Sequence, residues 1–274
     1  EEALKVMAHA FRLGCNLYDT AIVPEYGDAE MKLGKFAARI GREKIVISDK
    51  ARFYDGNEMY RAVETSNENL GTYADLYFVH QVDPGHVDQV FRKGGALDAL
   101  RELKQEGRIR FAGVASHYYD ILVRGAGDSR VDVLQASGNL VERGMLERIK
   151  EEPLFKEKGI LVNKVYAAGL LPRFFPVELL IRAVLAYPVS CALIGIGTAE
   201  QADAAFGDDN APFFQRKAEA GTTSVPSFWE ALSTLEREFE PIPCDRCQRC
   251  ICPWGTEIHT LFRQYLYYFL GKEY

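Results

Sequence analysis

No stretch of the chain approaches the roughly 18–20 uninterrupted apolar residues that a bilayer span requires. It also lacks a basic-then-apolar leader, since Glu1 opens an acidic amphipathic segment. The expectation is therefore a soluble, cytoplasmic protein with no membrane role. Positive charge is in short supply, with 33 Lys and Arg against 39 Asp and Glu and a net charge of −6. Phosphate backbones are held mainly by clustered Lys and Arg, so a nucleic-acid partner is not expected. A small molecule is the better candidate. No G-x-G-x-x-G run follows an early strand, which argues against an open dinucleotide-binding sheet. There is no low-complexity linker and no initiator Met. Cysteine is unevenly spent: four of the six crowd into Cys244–Cys252. A secreted disulfide framework would spread them through a small loop-rich chain, so the cluster reads as metal-binding.

What the chain does contain is a repeating alternation. Short β-rich runs, each ending in a polar residue or glycine, occur at Asn16–Asp19, Ile45–Lys50, Leu76–His80, Phe111–Ser116, Val131–Gln135, Ile160–Lys164 and Ala192–Gly195. Helical apolar spacing fills Glu2–Leu13, Glu30–Ile40, Tyr60–Leu70, Ala96–Glu106, Leu146–Lys158, Pro176–Ala186 and Ala199–Phe206. Parallel βαβ units are implied. At 274 residues, 47% of them apolar, one large domain suffices. The expected fold is α/β, a (β/α)8 TIM barrel whose first strand would lie upstream of Glu1. Residues 1–240 are assigned to the barrel, with a further helix over Thr222–Phe239. Residues 241–274 form a cysteine-motif and aromatic extension, with six aromatics among the final thirteen residues, expected to pack back on the body or on a second copy.

Barrel enzymes place their chemistry at the C-terminal ends of strands. Asp19, Lys50, His80, Ser116, Gln135 and Lys164 all fall there. The runs Asn16-Leu-Tyr-Asp-Thr-Ala21, Tyr26-Gly27-Asp-Ala-Glu30, Leu33-Gly34, Ile45-Val-Ile-Ser-Asp-Lys50, Asp75-Leu-Tyr-Phe-Val-His80 and Gly107–Ser116 resemble, in order, those of the aldo-keto reductase family. The resemblance implies a catalytic tetrad of Asp19, Tyr26, Lys50 and His80. Hydride arriving at a carbonyl carbon leaves an alkoxide that needs a proton, and a tyrosine of ordinary pKa about 10 is a poor acid near neutrality. A neighbouring ammonium stabilises phenolate, so Lys50 would tune Tyr26, Asp19 would hold Lys50, and His80 would hydrogen-bond the carbonyl oxygen. Singly, Asp19-Thr20 also reads as a turn cap, Lys50 as a solvated strand end and His80 as a structural histidine. Together, in order on successive strand ends, they favour chemistry. Between Asp19 and Tyr26 the segment Ile22–Glu25 makes the interval two residues longer than the family pattern, read as a small loop insertion that keeps Tyr26 in place.

The same resemblance implies NADP or NAD as cofactor. Ser116, His117 and Gln135 take the positions that hydrogen-bond a nicotinamide carboxamide, with His117 in place of an asparagine. Lys164 fits the lysine version of the next strand end, with Tyr166 nearby. Gly195, Gly197, Thr198 and Gln201 take the pyrophosphate-facing helix N-terminus, without the arginine that usually holds a phosphomonoester. Cys244-x-x-Cys247-x-x-Cys250-x-Cys252-Pro253 is similar to the ferredoxin-like motif of one branch and implies a [4Fe–4S] cluster, with zinc the second choice and bare thiols the third. The expected function is NAD(P)-dependent interconversion of a carbonyl and an alcohol on an aldehyde, ketone or sugar-like substrate. Two alternatives stay open: a redox-neutral isomerase, epimerase or lyase with a tightly bound cofactor, and a non-catalytic barrel acting as a regulatory or assembly subunit.

Overall fold

The computed structural model describes residues 1–207, 233, 250, 252–254 and 256–271. Its first half alternates helix and strand: α1 (Glu2–Arg12), β1 (Leu17–Asp19), α2 (Ala29–Ile40), β2 (Val46–Ala51), α3 (Gly56–Leu70), β3 (Ala74–Val79), α4 (Val87–Phe91), α5 (Ala96–Gln105) and β4 (Ile109–Ala115). The second half continues with α6 (Tyr119–Ala126), β5 (Val133–Ser137), α7 (Gly144–Glu151), β6 (Gly159–Asn163), α8 (Val177–Leu185), β7 (Cys191–Ala192) and α9 (Ala199–Phe206). The strands form one parallel sheet in sequential order β1 to β7. All seven expected strands are present, shifted by a few residues, and they curl into a half-barrel. Seven strands, not the eight of a complete barrel, are seen among the described residues.

Strand residues alternate between two faces. Leu76, Phe78, Ala115, Val133 and Leu161 turn inward, joined by Leu17, Val46, Cys191 and Leu193, so residues at both ends of the sheet share one interior cluster. Ile47, Tyr77, Leu97, Leu100, Leu122 and Leu134 pack in the layer between sheet and helices. Local signals set the boundaries. Asp55 caps α3 by accepting the Asn57 N–H at 2.9 Å, and Gly71 ends that helix at φ 65°. At the N-terminal end of the strands, buried Asp75 accepts from Arg42 (2.6 Å), Arg110 (2.9 Å) and the Ile47 N–H (2.8 Å), pinning β2, β3 and β4. That end carries stability, and the polar residues at the opposite end are left for chemistry.

Gly34, part of the motif read above, has a packing role. A Cβ there would lie 2.0 Å from the Leu70 carbonyl oxygen, so the backbones of α2 and α3 touch only because the side chain is absent. Gly to Ala in a helix interior normally gains about 1 kcal/mol. Here overpacking against backbone costs more, and Gly34→Ala is expected to destabilise by about 2 kcal/mol net. A urea melt showing a stabilised variant would contradict the close approach.

The segment expected to pack back as an aromatic tail is a helix, Ile258–Gly271. Arg263 Nε donates to Glu142 Oε1 at 3.0 Å and the Tyr267 hydroxyl donates to Glu142 Oε2 at 3.4 Å, docking the helix on the body beyond β5. The expected Thr222–Phe239 helix lies outside the described residues. Among those described, no helix is long and apolar enough to cross a membrane.

Candidate active site

Four of the expected residues meet at the C-terminal ends of β1, β2 and β3. Lys50, on the inner face of β2, is 2% exposed. A buried ammonium needs paired acceptors, and Lys50 Nζ donates to Asp19 Oδ2 at 2.5 Å and to the Thr20 carbonyl at 2.7 Å. Ser48 lies two residues earlier on the same face and donates to Asp19 Oδ1 at 2.6 Å, so both carboxylate oxygens are engaged. The period-2 rule would have found Ser48 from the sequence.

The segment from Ile22 to Glu25 does not carry Tyr26 away. Ile22 N–H donates to the Lys50 carbonyl at 3.0 Å, and Pro24–Tyr26 then forms a 3-10 turn. This turn returns the Tyr26 ring to a centroid distance of 5.8 Å from Lys50 Nζ. Tyr26 is 42% exposed and makes no hydrogen bond to Lys50 or His80. His80 follows β3 directly, 9% exposed. Burial first, then the Lys50 and Arg52 charges, push its pKa down to about 3. The imidazole is neutral at physiological pH and can donate a hydrogen bond without delivering charge.

Beyond β4 to β6 the expected residues fare unevenly. Gln135 is 2% exposed, and neither its Oε1 nor its Nε2 has a hydrogen-bond partner. The Ser116 hydroxyl donates to the Val82 carbonyl at 2.6 Å, and its oxygen accepts the Tyr118 N–H at 3.1 Å. His117 Nδ1 is 2.7 Å from Ser137 Oγ, whose single proton goes to Asn163 Oδ1 at 2.6 Å. Ser137 and Asn163 escaped the sequence reading, although Ser137 is two residues beyond Gln135 on the same strand face. The strand end is Asn163, and Lys164 is an exposed residue just past it, at φ 62°, its carbonyl held by Asn139 Nδ2 at 3.1 Å. Tyr166 packs on the core with its hydroxyl buried and unpartnered, and burial pushes its pKa up to about 12.

At the expected phosphate end, Thr198 caps α9 by accepting the Gln201 N–H at 3.2 Å, and Gly197 N–H donates to Gln201 Oε1 at 2.7 Å. This is a close variant of a capping box. It occupies the Gly197 amide, which is thereby removed from the set of ready anion donors, while Gly195 faces open space. Of the cysteine motif, Cys250 is exposed and Cys252 half-buried, and Cys244 and Cys247 lie outside the described residues.

A model of the aldo/keto reductase family matches residues 1–173. The L-galactose dehydrogenase of Arabidopsis thaliana is 32% identical over 132 residues, covering 44% of this chain and 40% of that one. The NADH-specific methylglyoxal reductase of Escherichia coli is 26% identical over 182 residues, covering 58% and 54%. The chain thus spans about half the length of the curated relatives it matches. An aldo-keto reductase from Bacillus halodurans superposes with a TM-score of 0.65 at 22% identity, covering 86% of this chain and 87% of that one. At that identity the likeness speaks for the barrel fold.

Proposed function

Because this chain belongs to the aldo/keto reductase family, we propose that it interconverts a carbonyl and an alcohol with NAD or NADP at the mouth formed by Asp19, Tyr26, Lys50 and His80. The observation that carries the reading is the buried Lys50 ammonium, fixed by Asp19 and the Thr20 carbonyl beneath the Tyr26 ring. A lone structural lysine has no reason to be held at 2% exposure facing a strand-end opening. Lys50 favours negative charge on the Tyr26 oxygen, which gives a proton to the forming alkoxide or takes one from the alcohol. Neutral His80 donates to the carbonyl oxygen, orienting it and stabilising the charge that develops there. Nicotinamide, when bound, supplies or accepts the hydride.

The unpartnered Gln135 amide fits the cofactor, since it offers one donor and one acceptor where a carboxamide presents the complementary pair. His117, held by Ser137, stands beside it, and Gly195 with the α9 N-terminus is the backbone surface available to the pyrophosphate. No Lys or Arg occurs from Gly195 to Gln201, so both nicotinamides are to be tested. Titration of the protein's fluorescence with NADH and NADPH should show saturable binding of at least one. Gln135→Leu should weaken it about tenfold. The same change should leave the melting temperature of the free protein unchanged or raised, because it removes a buried unpaired amide. No binding of either nucleotide would favour a non-catalytic barrel.

The substrate is an aldehyde, ketone or sugar-like alcohol; methylglyoxal and L-galactose, taken from the names of the relatives, are the first to try. The reading further divides the chain at about residue 240 and assigns Cys244, Cys247, Cys250 and Cys252 to one [4Fe–4S] cluster, four thiolates in ferredoxin-like spacing. Iron and acid-labile sulfide assays on anaerobically purified protein test the cluster. Stoichiometric zinc without sulfide would replace it with a four-thiolate zinc site.

A further inference from the structure

On the face of β2 opposite Lys50 lies a second acidic pair that the reaction does not use. Alternation turns Asp49 away from the barrel interior, and it is 0% exposed in the layer beneath α2 and α3, directly across the ladder from Tyr77 of β3. Glu30, in the first turn of α2, is 4% exposed. Half of each carboxyl is accounted for: Asp49 Oδ1 accepts the Lys50 backbone N–H at 2.8 Å, and Glu30 Oε2 accepts from Asn69 Nδ2 at 2.7 Å. The other halves, Asp49 Oδ2 and Glu30 Oε1, are buried with no donor. The Tyr77 hydroxyl does not serve them, being bonded to Ser66 at 2.8 Å. Two ionised carboxylates facing each other in an apolar layer repel, and each would lose its hydration without replacement. One proton between them removes both problems.

We propose that Glu30 and Asp49 share a single proton, and that this acid pair positions Tyr26 against Lys50. Glu30 lies four residues after Tyr26, at the start of the helix that the Tyr26 turn leads into. Asp49 precedes Lys50 and holds its backbone N–H. The shared proton therefore ties the segment carrying the proton donor to the strand carrying the ammonium. Its catalytic consequence rests on the reading given under Proposed function, whereas the proton itself does not.

The surroundings agree. Burial and the facing Glu30 carboxyl push the Asp49 pKa well above the ordinary carboxylate range, and the adjacent Lys50 opposes this only weakly. Tyr77, facing the pair from β3, is itself pushed up by burial and by the Asp49 charge. From α3 the pair meets the neutral side chains of Ser66 and Asn69. Because the folded pKa is raised, the stability linked to the proton is fully present below the ordinary carboxylate range. It is lost as pH rises through the folded value. Loss of the proton leaves two charges that repel across the layer and disturb the Tyr26–Lys50 geometry.

Infrared difference spectroscopy of the intact protein reads the proton directly. At neutral pH the wild type should show the C=O stretch of a protonated buried carboxyl, which disappears on alkaline titration and is missing from both Asp49→Asn and Glu30→Gln. Asn at 49 can donate to Glu30 without a titratable proton. That variant should keep its turnover of methylglyoxal at neutral pH while the alkaline arm of its pH profile flattens. Asp49→Ala, which breaks the tie, should lower kcat about tenfold with little change in KM. A wild type without the protonated-carboxyl band, or a band that survives both substitutions, would overturn the shared proton. An alkaline arm identical in Asp49→Asn and wild type would overturn its positioning role. The band in a wild type that turns over no carbonyl would uphold the pair and remove the reaction instead.

Discussion

Tyr26→Phe should lower carbonyl turnover by roughly 10²–10⁴-fold, the usual span for loss of a positioned proton donor, while nicotinamide binding stays near the wild-type level. The selectivity follows from geometry. The phenol oxygen belongs to a half-exposed ring set 5.8 Å over the Lys50 ammonium, whereas the unpartnered Gln135 amide lies on β5. Removing one oxygen leaves the ring, the 3-10 turn and the Lys50–Asp19 pair intact. Since the hydroxyl makes no hydrogen bond to Lys50 or His80, the fold should lose little, and melting curves of variant and wild type should nearly coincide. Steady-state kinetics and nucleotide titration on the same preparation check both halves. Turnover that survives would mean that water or another group supplies the proton.

Lys50→Met should act on fold and chemistry together. The substitution deletes the partner of Asp19 Oδ2 and of the Thr20 carbonyl at a site that is 2% exposed. Breaking a buried pair from one side costs about 3–5 kcal/mol, because the remaining charge is stranded. Asp19 keeps its bond from Ser48 and is 20% exposed at the side chain, which places the expected loss near 3 kcal/mol. Turnover should fall by at least as much as in Tyr26→Phe, since the ammonium that favours phenolate is gone. Adding Asp19→Asn to Lys50→Met should recover part of the stability and none of the activity. Denaturant melts of the single and double variants, set beside their turnover, separate the two effects. Full stability in Lys50→Met would show that the pair is solvated.

The strands were legible because parallel strands buried on both faces read as continuous apolar runs. Ala74-Asp75-Leu76-Tyr77-Phe78-Val79 is such a run, closed by His80. α9 was legible to the residue, because Thr198 and Gly207 bracket it with a cap and a positive-φ glycine. α6 was missed: its eight residues end in Gly125-Ala126 before Gly127, with no side-chain cap to mark the start. At the candidate site, period and order put Asp19, Lys50, His80 and Gln135 on one face of successive strands or at their ends, whose side chains share the inner side if the strands are in register. The hydrogen bonding of Ser116 and the exposure of Lys164 are details no spacing encodes. A carbonyl of the preceding strand's loop captures the serine proton, and one extra residue beyond β6 turns the lysine outward. The Glu30–Asp49 contact joins residues nineteen apart across a helix–sheet interface. In the sequence Asp49 is only a polar residue on a strand, and its burial emerges from the helices that cover that face of the sheet.

Hydride transfer at the Lys50–Tyr26–His80 mouth is read by a single-turnover experiment. Protein in excess over reduced nicotinamide, NADH and NADPH in separate runs, is mixed with methylglyoxal, and the loss of nicotinamide absorbance and the alcohol formed are followed together. The wild type should form one equivalent of alcohol per nicotinamide oxidised, with the rate reduced by roughly 10²–10⁴-fold in Tyr26→Phe. Oxidation at equal rates in wild type and variant would contradict it.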